Sequence, residues 1–340
     1  VDYDGTASSL LVEPERTNLI TYSSDFSGYS QVTGTITANS TTSPDGTLNA
    51  SVFNALVGLP NFYTRFTATV GLSYAQSIFL KKGTRNWVTF VKGGGSGFAA
   101  WFDLENGVIG TVASGFSANM ENYGNGWYRC SVISNATITL PYFQVVVVDN
   151  NDSTTNSVAG TIFIWGTQAE QSSYLTSLIP TDGGTVTRVQ DQYSKTGISN
   201  LINSEEGVLF VEAKTTYDSS TSRRITLSDG STSNRVSLEF DDSVENKIKA
   251  FITLNGASET LEYTAPDLSI FNKIAIKWKA NDFAIWFNGN EVVTETAEPR
   301  VPTGMNQLSF DGGNGANFFY GEVKQLQVFK TALTDTELAT

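Results

Sequence analysis

The chain contains no histidine. That removes the Ser-His-Asp and Cys-His nucleophilic machineries and every imidazole-based zinc site. Only carboxylate, Tyr, Lys or Arg chemistry is left. There is a single cysteine, Cys130, so no internal disulfide. It lies in WYRCSV, where alternation puts Tyr128, Cys130 and Val132 on one strand face, the pattern of a small buried core residue. Charge is scarce, at 16% of residues, and cations are scarcer: 21 Lys and Arg stand against 34 Asp and Glu, for a net charge of −13. The deficit is even, with 7 basic and 13 acidic residues up to Thr185 and 14 and 21 after it. No basic patch is available to hold phosphates, which argues against nucleic acid and against an anionic membrane surface as partners. No apolar run approaches the ~20 residues of a membrane span, so no membrane insertion is expected. No signal peptide opens the chain, and a start at Val1 without Met is expected of a fragment or a processed product. Helix formers in periodic runs are nearly absent.

What is present is strand material and turn chemistry. The 340 residues include 21 Phe and 13 Tyr, 30 Gly, and abundant Ser, Thr and Asn. Length predicts two domains of about 150 residues each. The pattern predicts an all-β chain with polar turns. SPDGT at 43–47 is a turn in which Pro44 presets φ and Gly46 accepts φ > 0. YAQSIFLK, NWVTFV and AAWFDL read as strands, with the Gly-rich KGGGSG between the last two. Glu105-Asn106-Gly107 marks a hairpin that returns along Val108 to Val112. NYGNGWYRCSV, FQVVVV and TIFIWGTQ follow, giving roughly ten strands in about 170 residues, the spacing of a sandwich. After IWGTQAEQSSYLTSLIPT the composition changes. Residues 181–206 read as a linker, with one short helical turn near Ile198–Ile202. VLFVEAKT then opens a second strand series, and ITLSDGSTSNRVSLEF is a hairpin around Asp-Gly. Thr334-Asp335-Thr336-Glu337 is a capping box that starts a short terminal helix.

The phrases YAQSIFLK, FDLENGVIGT, GNGWYRCSV and IWGTQAE resemble carbohydrate-binding-module-like jelly rolls of bacteriophage virion proteins and secreted polysaccharide-degrading enzymes. LLVEPERTNLITYSSDF is similar to a recurrent opening in phage tail and fibre proteins. From about residue 205 onward, FAIWFNGNEV and FYGEVKQLQVFKTALTDTEL resemble a concanavalin A-like, laminin-G-like sandwich. The resemblance implies two β-sandwiches in tandem: a jelly roll over 1–180 and a concanavalin A-like domain over 207–340.

Concanavalin A-like folds include glycosidases, which makes EFDDSVE at 239–245 the first place to look for catalysis. Retaining hydrolysis needs two carboxyls ~5–5.5 Å apart. Glu239 and Asp241 share a strand face, but the third position falls on Ser243 or Val244, and Glu245 comes late. A solvated hairpin end is the expectation, with no enzyme activity. Asp103 and Glu105 are likewise two apart, and Asn106-Gly107 marks them as turn-flanking. Sugar recognition uses flat aromatic faces and planar polar groups. Trp127, Trp165 and Trp278 read as core. Trp87 and Trp101 flank the Gly-rich loop and share strands with polar residues; with Tyr63 and Arg65 they are the candidate platform. Trp286, beside Asn288, is a further candidate on a strand that commonly packs on both faces. In the second half Arg223, Arg224, Asp229 and Asn234 are expected at one rim. Asp and Asn oxygens in Gly-rich loops suit Ca²⁺, and both resembled folds often carry one for structure. Asp149, Asp152 and Asp311 are the candidate ligands, against the reading of each as an ordinary polar turn.

The expected function is a non-catalytic glycan-binding, adhesion or structural component of a bacteriophage virion: tail, fibre or other surface appendage. Its expected partners are cell-surface or extracellular polysaccharide and other virion proteins, with avidity from a homo-oligomer, and its place is the virion surface or the extracellular space. The alternative is an accessory carbohydrate-binding segment of a secreted polysaccharide-degrading enzyme.

Overall fold

A computed structural model describes residues 9–215 and 222–339; Val1, and with it the expectation drawn from the missing Met, lies outside them. The described residues form antiparallel sheets with one 3₁₀ turn and one four-residue helix, and no helix among them is long and apolar enough to cross a membrane. The chain divides into two compact units. One is built from residues 15–189, the other from 190–339 together with a segment ending at Pro14.

In the first unit two six-stranded sheets carry the structure. One runs in the order Val108–Val112, Phe98–Asp103, Trp87–Val91, Tyr142–Val148, Asn61–Arg65, Ser30–Val32. The other runs Ser117–Asn122, Trp127–Asn135, Ser73–Lys82, Gly160–Glu170, Ala50–Ala55, Gly34–Thr41. Phe62, Phe90, Phe102, Phe143 and Val145 of the one meet Phe53, Ile78, Leu80, Cys130, Val132 and Ile164 of the other in a single core. The chain passes back and forth between the sheets, so the unit is a jelly-roll β-sandwich. Cys130 is fully buried there, and burial pushes its thiol pKa up, which keeps it protonated and inert.

The strand Gly160–Glu170 shows how sequence sets the faces. Ile162 and Ile164 point into the core, and Phe163 and Trp165 point away from it. A bulge between Trp165 and Gln168 then shifts the register against Ser73–Lys82, and Ala169 resumes the inward face. Gly166 makes the bulge with φ 61°, and a Cβ there would lie 2.8 Å from the Phe79 ring.

In the second unit one sheet is ordered Leu10–Val12, Gly321–Phe329, Glu206–Lys214, Asn272–Lys279, Phe283–Phe287, Asn290–Glu295. The other is ordered Ser194–Lys195, Gln307–Ser309, Arg223–Ser228, Arg235–Phe240, Lys247–Leu254, Ala257–Thr264. Leu209, Val211, Ile274, Ile276 and Ile285 face Ile225, Leu227, Leu238, Ile248 and Ile252 across the second core. Asn288 and Gly289, at φ 48° and 78°, form the two-residue turn between Phe283–Phe287 and Asn290–Glu295. Thr334 caps the terminal helix Asp335–Leu338 in a full capping box with Glu337.

Two segments pair away from their expected places. Leu10–Val12 hydrogen-bonds along Gly321–Phe329 of the second sandwich. The stretch 181–206 is tied down at several points. Val186–Arg188 pairs with Arg16–Asn18 in the first unit. Ser194–Lys195 pairs with Gln307–Ser309 in the second, where Ser199–Leu201 is the 3₁₀ turn.

Candidate functional site

Along the strands of the Trp87–Val91 sheet, residues alternate between the core and the outer face. Register places the outer residues in rows. Arg65 stands opposite Tyr142, Tyr63 opposite Gln144, and Asn61 opposite Val146. Val146 continues to Thr89 and Val148 to Trp87. Thr89 then leads to Trp101, and Trp87 to Asp103. Thus Tyr63, Arg65, Trp87 and Trp101 lie on one face of one sheet.

That face has a closed end and an open end. The loop 149–157 crosses the closed end. The Trp101 indole N–H donates to the Ser153 carbonyl at 2.9 Å, and the Asn151 side-chain oxygen accepts from the Thr111 amide at 2.7 Å. Trp101 is left 7% exposed, Val146 and Val148 are fully buried, and Trp87 is half-buried. Trp101 therefore carries the loop and presents no flat face to solvent, while Trp87 packs beside it and stays half-buried.

The open end is made by side chains that the sequence singles out only in part. Tyr63 and Tyr142 meet edge to face, with ring centroids 5.3 Å apart. The Arg65 guanidinium lies 3.9 Å from the Tyr142 ring centroid and also donates to its hydroxyl. Gln144 donates to Asn61 at 2.9 Å, and Phe98 packs on Trp101 with centroids 5.6 Å apart. Arg65 is exposed, and Tyr63, Tyr142 and Gln144 are half-buried. Two aromatic rings held by an arginine, with an amide beside them, make a shallow surface of the kind that packs a pyranose and hydrogen-bonds its hydroxyls. Tyr142 and Gln144 escape sequence reading because nothing local shows that Tyr142–Val148 lies beside Asn61–Arg65. The alternation of PYFQVVVV, with Tyr142 and Gln144 off the apolar phase of Phe143 and Val145, is the one signal that marks them as outward.

The candidate metal ligands are not brought together. Both carboxylate oxygens of Asp149 are taken: Arg85 lies at 2.7 Å, and the Ser157 amide and hydroxyl donate at 2.9 and 2.6 Å. Those Ser157 hydrogen bonds, with Arg85, hold its pKa below the ordinary carboxylate value. Asp152 accepts from the Thr111 hydroxyl at 2.8 Å. Asp311, in the other sandwich, accepts from Ser309 and from the Gly313 amide. Among the described residues no group of three or more acidic, His or Cys side chains is placed to hold a metal ion. These aspartates organise their own loops through the hydrogen bonds they accept.

Two expectations for the second sandwich are corrected. Glu239 and Asp241 do share an outward face, but they are not a solvated hairpin end: each is 2% exposed. Arg224 Nε donates to Glu239 at 2.5 Å, and Lys249 Nζ lies 3.6 Å from Glu239 and 2.6 Å from Asp241. Burial would raise the Asp241 pKa; Lys249 and the Ser243 amide and hydroxyl outweigh it and hold the carboxyl ionised. Both carboxylates are thus engaged in ion pairs. Nor do Arg223, Arg224, Asp229 and Asn234 share a rim. The arginines begin the strand Arg223–Ser228, while Asp229 and Asn234 close the turn at its other end. Six strand residues put ~20 Å between the two ends. Trp286 sits on the outward side of the other sheet, 6% exposed beneath Leu333 and Leu338.

Residues 209–339 match the family model of the concanavalin A-like lectin/glucanases superfamily. No curated protein matches the chain. Among solved structures it is similar to the Ruminococcus gnavus IT-sialidase CBM40 bound to α2,3-sialyllactose, at 19% identity and TM-score 0.36, covering 43% of this chain and 96% of that one. A heptameric SAP-like pentraxin from Limulus polyphemus is similar at 12% identity and TM-score 0.35, covering 44% and 74%. Mouse laminin α1 domains LG4-5 are similar at 10% identity and TM-score 0.28, covering 95% and 90%.

Proposed function

We propose that the chain is a non-catalytic glycan-binding component of a bacteriophage virion, carried in a tail, fibre or other surface appendage. The observation that carries the binding is the open end of the first sandwich's outer face. There Arg65 lies over the Tyr142 ring, Tyr63 meets that ring edge to face, and all three remain reachable by solvent, with Gln144 beside them. The carboxylates that would serve hydrolysis are instead tied into ion pairs, which favours binding without cleavage. The resemblance of LLVEPERTNLITYSSDF to phage tail and fibre openings supports the virion setting. Such a shallow site binds a single ring weakly, and presentation in several copies supplies avidity.

The test is a glycan array probed with the multimerised chain, with and without chelator. Binding to a defined set of surface polysaccharides is expected. Tyr63→Ala or Tyr142→Ala should lower it about tenfold, and chelator should leave it unchanged. A blank array with folded, multimerised protein overturns the proposal.

A further inference from the structure

The outward side of the Glu206–Lys214 sheet holds a groove that the first site does not use. Register aligns Gln327, Phe210, Ala275 and Trp286 across four neighbouring strands. Phe329 lies in the adjoining row, and Leu333 and Leu338 of the terminal segment close one side. The groove between them measures about 240 Å³, with Lys273, Gln325 and Gln327 at its margin.

Its floor is apolar, with one exception. Trp286 is 94% buried, at 6% exposure, yet its indole Nε1–H has no hydrogen-bond partner among the described residues. A buried donor without an acceptor costs free energy, on the order of 1–3 kcal/mol. A group that brings an oxygen acceptor to it regains that energy. The occupant must therefore offer one acceptor oxygen and otherwise present carbon. A plain hexose fits poorly, because its hydroxyls would be buried against Phe210, Phe329 and Leu333 without partners. An acetamido group has the matching chemistry: one carbonyl oxygen for the indole N–H and a methyl for the aromatic and leucine carbons, with Gln327 and Lys273 at the margin for the sugar's remaining hydroxyls.

We infer that the second sandwich carries its own glycan site, an acetamido-sugar pocket whose buried donor is the Trp286 indole. The inference rests on the glycan-binding reading of the chain but uses none of the residues of the first site.

The experiment uses the full chain labelled with ¹⁵N at the indoles of its six tryptophans. Trp286→Phe assigns the Trp286 resonance. N-Acetylglucosamine and N-acetylgalactosamine are titrated against glucose and galactose. The Trp286 signal is expected to move with the acetamido sugars and to stay still with the plain hexoses. Saturation transfer to the acetyl methyl should report an affinity about tenfold weaker in Trp286→Phe, which keeps an aromatic ring on the floor but loses the donor with the indole's five-membered ring. Ala275→Met, which fills the groove, should abolish the shift while the other five indole signals keep their positions. A Trp286 signal unmoved by acetamido sugars at tens of millimolar overturns the inference, and so does equal movement with plain hexoses. Array binding that is sensitive to Tyr63→Ala but accompanied by a still Trp286 leaves the first site standing and this one refuted. A moving Trp286 with a blank array does the reverse.

Discussion

Glu239→Gln separates a structural carboxylate from a catalytic one. The Glu239 side chain is 3% exposed, its partner Arg224 14% and Lys249 20%. One carboxylate oxygen takes two guanidinium nitrogens of Arg224, and the other faces Lys249 at 3.6 Å. At such distances and an effective dielectric near 20, each contact has a gross attraction of about 4 kcal/mol. Most of that is cancelled by the cost of desolvating the ions. Removing only the anion keeps the cost and loses the attraction. Lys249 retains Asp241, but Arg224 is left with the Phe251 ring, 4.6 Å from its guanidinium carbon. A fully buried orphan ion costs ~3–5 kcal/mol, and partial exposure of Arg224 reduces that to ~2–3 kcal/mol. The double variant Arg224→Met, Glu239→Leu removes both charges and should come back within ~1 kcal/mol of the parent. Hydrogen exchange in a urea series, read on peptides from 223–228 and 235–254, isolates this sandwich from the other. A catalytic carboxylate predicts the opposite, since replacing one usually leaves stability unchanged or raised. A single variant within ~0.5 kcal/mol of the parent, or a double variant worse than the single, refutes the structural role.

Trp101→Phe deletes the hydrogen bond to Ser153 along with the indole's five-membered ring; it should cost ~1–3 kcal/mol and speed amide exchange in 150–157, and an unchanged loop would mean that other contacts hold it. Gly166→Ala forces a side chain into φ 61° and toward the Phe79 ring, so the first sandwich should lose ~2 kcal/mol in urea melts, with no loss if the bulge can relax. Asp45 has a pKa lowered to about 2, and Asp103 and Asp241 are lowered as well. Burial opposes each shift and is outweighed by hydrogen bonds, from Ser43 and Thr47 to Asp45, from Asn106 and the Glu105 amide to Asp103, and from Lys249 and Ser243 to Asp241. Folded values below the unfolded ~3.9 mean stability that is present above pH ~4 and lost as pH falls toward each folded value. Urea midpoints should therefore be flat from pH 7 to 5 and drop steadily toward pH 2; a rise on acidification would contradict the assignment.

Local chemistry is legible in this sequence wherever one short stretch supplies all the partners. Asp-Gly and Asn-Gly turns need only a residue that tolerates φ > 0, and Gly46, Gly107 and Gly289 take it. The capping box closes within four residues, Thr334 to Glu337. Alternation in TIFIWGTQ identifies the inward face up to the bulge, where Gly166 is the visible cause of the break. None of this specifies which strands become neighbours. Leu10–Val12 reads as the opening of the first sandwich, because nothing in LLV names a partner at Gly321–Phe329.

The same limit decides the sites, and it works in opposite directions in the two sandwiches. Trp101 looks available beside a glycine loop, yet the covering chain comes from 149–157, and Ser153 supplies only a backbone carbonyl, which no residue type advertises. Glu239 and Asp241 look solvated because alternating charges on a strand usually are. They are buried because strand pairing delivers Arg224 from one side and Lys249 from the other, opposite Glu239 in both ladders. A covering loop thus closes a surface that reads as open, and strand pairing neutralises charges that read as solvated. Tyr63, Tyr142, Arg65 and Gln144 do remain reachable, where two adjacent strands place an uncovered cluster. A site is therefore better sought in what pairing leaves uncovered than in the residues whose types are most suggestive in isolation.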